Sequence, residues 1–94
     1  MHRIVWTRQA IADLDRLEAF LWHKSPDAAR RQHIMNATQQ LQYFPQAGRA
    51  APDLDPEHRE LPVTFGVSGY MVRYGVYATQ VEILAIRHMR EAGY

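Results

Sequence analysis

"HRELPVTFGVSGYMVRYGVYATQVEILAIRH", residues 58–88, decides the architecture of this chain, because it reads as three strands separated by short turns. In "GYMVRYGVY", Tyr70, Val72, Tyr74 and Val76 alternate with Met71, Arg73 and Tyr77, the period of two expected of a strand. Aromatic and β-branched residues dominate it, which suits a pleated, half-buried surface. The preceding "HRELPVTF" contains Pro62, which confines that strand to a position where no ladder N–H is needed. Gly66 to Gly69 turns the chain between these two runs, and Ala78 to Gln80 turns it again into "VEILAIRH". Turns this short imply an antiparallel meander.

Upstream, residues 45–57, "PQAGRAAPDLDPE", hold three prolines, one glycine and little periodicity. They read as an irregular connection, long for a small domain, and therefore as a candidate functional loop as well as a linker. A helix precedes it. Ser25 can accept hydrogen bonds as its N-cap, Pro26 suits the first helical position, and Asp27 suits the positive end of the dipole. This helix is expected to run to about Phe44 with Ile34, Ala37, Leu41 and Phe44 on one stripe, ended by Pro45 and Gly48.

An earlier helix is expected from Arg8 to about Lys24, capped by Thr7. Ala10, Ile11, Leu14, Leu17 and Leu21 form its apolar stripe, with Asp13, Asp15 and Arg16 turned away. Phe20 and Trp22 flank that stripe, either as ordinary exposed aromatics or as a second apolar surface for a partner. A short strand, His2 to Trp6, starts the chain. The expected fold is therefore α+β in the order β-α-α-β-β-β, with an N-terminal helical hairpin packed on one face of a small antiparallel sheet.

Ninety-four residues imply one domain spanning 1–94 with a single modest core. With 47% hydrophobic residues, 22% charged residues, no long apolar run and no signal-peptide pattern, no membrane segment is expected and the cytoplasm is the default location. The absence of cysteine excludes disulfides and thiolate chemistry. A net charge of +1 argues against affinity built on broad phosphate neutralisation. Of the eleven Lys and Arg residues only Lys24 is a lysine. Arginine is a rigid fork suited to carboxylate or phosphate, although a GC-rich genome produces the same bias.

The histidines at 2, 23, 33, 58 and 88 form no HxxxH or HxH pattern and have no carboxylate at ligand spacing, so no metal is expected. Phosphate-cradling glycine motifs are missing too, and no cofactor is predicted. Ser25 and Ser68 are explained by a cap and a turn. What remains is a polar set on the sheet and the C-terminal end: Arg59, Glu60, Arg73, Arg87, His88, Arg90 and Tyr94. A metal-free ribonuclease needs a base, cations for the phosphorane charge and an acid, and such parts are present. A solvated rim at a strand end has the same composition.

Several stretches, in their order and spacing, resemble the RelE/ParE family of toxins from type II toxin-antitoxin systems. They are "IVWTRQAIADLDRLEAFL", "SPDAARR", "FPQAGR", "HRELPV", "GYMVRYGVY" and "VEILAIRHMRE". The resemblance covers essentially the whole chain. It implies a cognate antitoxin, whose disordered tail wraps the toxin in a hetero-oligomer. It also implies one of two modes of action: RelE-like members are ribosome-dependent mRNA interferases, and ParE-like members poison DNA gyrase by binding it.

RelE-like nucleases share a "GYRLVY" stretch whose Arg contacts the scissile phosphate, and here Met71 takes that position. Their mRNA-binding lysines have no counterpart in the loop or strands. On the nuclease reading the remaining candidates are Arg59, Arg73, Arg87, His88 and Tyr94, the last two matching the family's basic residue and terminal Tyr. One lost transition-state contact costs about 3 kcal/mol, two to three decades of rate. The resemblance therefore favours the ParE-like mode with no catalytic residues. Arg87, His88, Arg90 and Tyr94 would then meet the target, while Leu17, Phe20, Leu21, Trp22 and Arg73 would meet the antitoxin.

Overall fold

A computed structural model of the chain describes residues 1–20, 27–50, 55–65 and 68–90. Strand β1 (Arg3–Trp6) leads into helix α1 (Arg8–Phe20), and helix α2 (Asp27–Gln39) continues into a 3-10 turn, Gln40–Gln42. Four strands follow: β2 (Arg49–Ala50), β3 (His58–Phe65), β4 (Ser68–Val76) and β5 (Gln80–His88). The α+β architecture is as expected. The meander β3-β4-β5 is antiparallel, with Val63 opposite Tyr70 and Val72 opposite Ile86.

The structure adds two features. The sheet order is β1-β5-β4-β3-β2, and β1 joins β5 in parallel, Ile4 beside Val81 and Trp6 beside Ile83. Two residues of the supposed irregular connection pair with β3, Arg49 with Glu60 and Ala50 with Arg59. Because β2 reaches no further than Glu60, no strand among the described residues pairs with the outer side of β3 at Pro62, where a missing N–H is harmless.

Both helices lie on one face, α1 against β5 and α2 against β3. Ala10, Leu14, Leu17, Ile34 and Leu41 from the helical layer pack against Val63, Tyr70, Val72, Tyr74, Val81, Ile83 and Ile86 of the sheet. Thr7 caps α1 as predicted, its Oγ1 accepting from the Ala10 N–H at 3.2 Å. The stripe of α1 differs in detail. Ile11 is 45% exposed, and Asp13, expected on the polar face, is 7% exposed. Positions 10, 13, 14 and 17 are one helical face, so Asp13 sits within the apolar stripe.

Helix α2 ends at Gln39, short of Phe44, because the chain tightens there into the 3-10 turn. That tightening rotates Phe44 out of the stripe, leaving it 64% exposed. Leu21, Trp22, the cap Ser25-Pro26 and the turn Gly66-Val67 lie outside the described residues.

Candidate functional site

Residues directly opposite each other in a ladder share a face. Following the register across the sheet gives two rows on the face away from the helices: Arg87, Met71 and Pro62, then Ala85, Arg73, Glu60 and Arg49. Strand spacing puts Arg49 and Arg73 roughly 10 Å apart across Glu60. Arg73 Nη2 meets Glu60 Oε2 at 3.4 Å, an ion pair within the face. Met71 is 5% exposed between them. This part of the open face groups guanidinium forks with the Glu60 carboxylate and the Met71 thioether, with Glu82 further along opposite Gly75, and the forks suit carboxylates or phosphates presented by a large surface.

His88 is on the other face. It lies opposite Tyr70, whose ring is buried among the core residues, and the two rings meet edge to face at 5.3 Å. The Arg90 N–H donates to His88 Nδ1 at 3.1 Å, which makes that nitrogen an acceptor. From α2, Arg30 Nη1 donates to the Tyr70 hydroxyl at 2.8 Å, and the same guanidinium lies 4.8 Å above the Phe65 ring. Alternation along β5 thus sends Arg87 and His88 in opposite directions.

Arg59 has a third location. Its Nε donates to Gly48 O at 2.9 Å and its Nη2 to Gln46 O at 3.4 Å, holding the connection against the sheet. Tyr74 completes that knot: Gly48 N–H donates to its hydroxyl at 2.8 Å, and the hydroxyl donates to Pro45 O at 2.9 Å. Burial pushes the Tyr74 phenol above the usual tyrosine range, against the opposing pull of the Gly48 N–H and the Arg59 charge.

Of the residues expected to meet partners, Arg90 is exposed in the turn after β5. Leu17 is fully buried, because position 17 continues the core stripe of α1 and not its flank. Phe20 is the last residue of α1. Leu21, Trp22 and Tyr94 lie outside the described residues.

The histidines are expected from the sequence to have no carboxylate at metal-ligand spacing. Among the described residues, Asp55, Glu57 and His58 do bring their donor atoms within 4.8 Å of one another. Turn geometry accounts for this, since the His58 N–H bonds Asp55 O at 2.9 Å and both acids are exposed.

Periodicity missed what holds the end of β5. Beyond Ile83 that strand has no β1 neighbour, and a bulge opposite Arg73 and Tyr74 leaves Leu84 out of register. The N-cap and side chains of α1 supply the missing bonds. Thr7 Oγ1 reaches Ile83 O at 2.8 Å and Leu84 O at 3.3 Å. Asp13 Oδ2 accepts from the Ile86 N–H at 2.8 Å, and Arg16 Nη2 donates to Ile86 O at 3.3 Å. The readable signal was an acid inside an apolar stripe.

Comparison with known proteins agrees with this fold. Residues 4–93 match the family model described as the ParE toxin of the type II toxin-antitoxin system parDE. Toxin RelE2 of Caulobacter vibrioides is 37% identical over 90 residues, covering 94% of this chain and 96% of that protein. Toxin RelE3 of the same organism is 36% identical over 85 residues, covering 88% and 89%. Among solved structures, a chain of the chromosomal ParDE toxin-antitoxin system from P. aeruginosa superposes with a TM-score of 0.71 at 25% identity, over 94% of this chain and 96% of that one.

Proposed function

The chain belongs to the ParE toxin family of type II toxin-antitoxin systems, and from that premise we propose that it arrests growth by docking onto DNA gyrase, without hydrolysing a bond itself. Membership implies a cognate antitoxin as partner. The docking surface in this reading is the open sheet face with the turn that follows it, Arg49, Arg73, Arg87 and Arg90, which fits acidic side chains of gyrase or the phosphates of its bound DNA.

One observation carries the reading: among the described residues, the proton-transfer candidate His88 does not share a face with the cations Arg73 and Arg87. Arg87 lies on the open face, His88 on the helix face, and Arg59 is spent on backbone carbonyls of the connection. Met71 takes the place of a phosphate-binding arginine, and a thioether carries no charge and donates no hydrogen bond. A proton-transfer residue and the cations must face the same scissile bond to cooperate.

The test is to add the purified protein to a gyrase supercoiling reaction and, separately, to a translating extract with primer-extension readout. Inhibited supercoiling with intact mRNA is expected. Arg87→Ala combined with Arg90→Ala should remove the inhibition while leaving antitoxin affinity and the far-ultraviolet spectrum unchanged. Cleavage of mRNA in the ribosomal A site, with gyrase unaffected, would instead establish the interferase reading that the names of the two Caulobacter relatives favour.

A further inference from the structure

The docking surface sits at the end of a strand that has lost its outer neighbour, and α1 has taken that neighbour's place. β1 accompanies β5 only as far as Ile83. The next outward-facing backbone groups are those of Leu84 and Ile86, and Thr7, Asp13 and Arg16 meet them in turn. Asp13 and Arg16 are three residues apart, close to one turn of helix, so one helix face runs alongside the strand there, and Thr7 joins them from the N-cap. The Asp13 carboxylate is itself tied: Oδ1 accepts from Gln9 Nε2 at 2.9 Å and lies 3.9 Å from Arg16 Nη2. A core contact alone would have been met by Leu or Ala at this position. A buried acid there has a polar task, which is to hold one backbone N–H.

We propose that Asp13 is a positioning residue for the docking surface: by holding the Ile86 N–H, with Arg16 on the Ile86 carbonyl, it locks the strand past its bulge so that Arg87 is delivered to the open face and His88 to the core. The reason is the period of two. A bulge frees the register by one residue, and a slip of one residue exchanges the faces of Arg87 and His88. The inference rests on the reading of this strand end as the docking surface, and its structural half is measurable without that reading.

The experiment compares Asp13→Ala, Asp13→Asn and Arg16→Leu with the natural chain, using Leu41→Ala as a control that loosens the core away from this strand end. Amide hydrogen exchange on the purified chain reports the strand, and induced expression at matched abundance reports growth arrest. In Asp13→Ala the Ile86 to His88 amides should exchange about tenfold or more faster, the effect of one lost buried hydrogen bond, and growth arrest should weaken in parallel. Arg16→Leu, which leaves no buried hole, should move both readouts the same way to a smaller extent. Asp13→Asn keeps an acceptor oxygen for Ile86 and should restore both. The Leu41→Ala control should raise exchange generally without a preferential effect at 86–88 and should still arrest growth.

Unchanged exchange at 86–88 in both Asp13→Ala and Arg16→Leu would overturn the proposal. So would faster exchange with full growth arrest, provided Arg87→Ala with Arg90→Ala abolishes that arrest. If the arginine double variant remains fully toxic, the docking reading fails instead, and the exchange data still decide whether Asp13 holds the strand.

Discussion

Tyr74 and Asp13 both place a polar group inside an apolar cluster, and each does so to hold backbone that ordinary ladder bonds do not reach. Tyr74 is 0% exposed, and its hydroxyl serves Gly48 and Pro45 together. Tyr74→Phe leaves the buried Gly48 N–H without a partner and should cost about 1–3 kcal/mol in urea denaturation at neutral pH. The same variant changes the alkaline behaviour. Because burial raises the folded-state pKa of Tyr74, its protonated phenol contributes stability in full below the ordinary tyrosine value of about 10, and that contribution fades as pH climbs through the folded value. Tyr74→Phe should therefore show a shallower loss of stability between about pH 9 and 11 than the natural chain. Some loss will persist, because Tyr77 is also raised, by burial first and by Glu82, Glu57 and Asp55 in addition. Denaturation midpoints across that pH range test the comparison.

Among the elements, β2 is the shortest and depends most on its neighbours, since two residues cannot form a stable strand alone. What seats it is Gly48, where a Cβ would come within 2.6 Å of both Glu60 O and the Tyr74 hydroxyl. Backbone at that distance cannot yield as a flexible side chain does. Gly48→Ala should cost about 1–3 kcal/mol, and amide exchange should show Arg49 and Ala50 released from β3 ahead of the rest of the sheet. Helix α1 shows the opposite dependence. Its own periodicity makes it a helix, yet its N-cap Thr7 and two of its polar side chains are committed to the edge of β5, which protects an otherwise open strand end.

At the scale of the molecule, one core cluster includes residues of both helices, the 3-10 turn and strands β3, β4 and β5, with Ile4 and Trp6 of β1 packed against it. Unfolding should accordingly be a single transition, with circular dichroism and tryptophan fluorescence giving coincident midpoints. Separate midpoints would mean that the hairpin and the sheet unfold independently. The open face divides the molecule chemically: apolar contacts hold one side of the sheet, and the other presents arginines. That four of the strands, both helices and their order could be read from the chain follows from local causes, since alternation, helical spacing, caps and turn residues act over a few neighbours. The same local signals, with the family resemblance, pointed to the basic strand end. Which side chains share a face could not be read that way. Arg49 joined the site only because β2 paired with β3, which of Arg87 and His88 took the open face was decided only when β4 paired with β5, and the N–H that Asp13 meets was left open only because β1 stops at Trp6. These are contacts between residues up to 73 positions apart, and they come into being only when the strands pair.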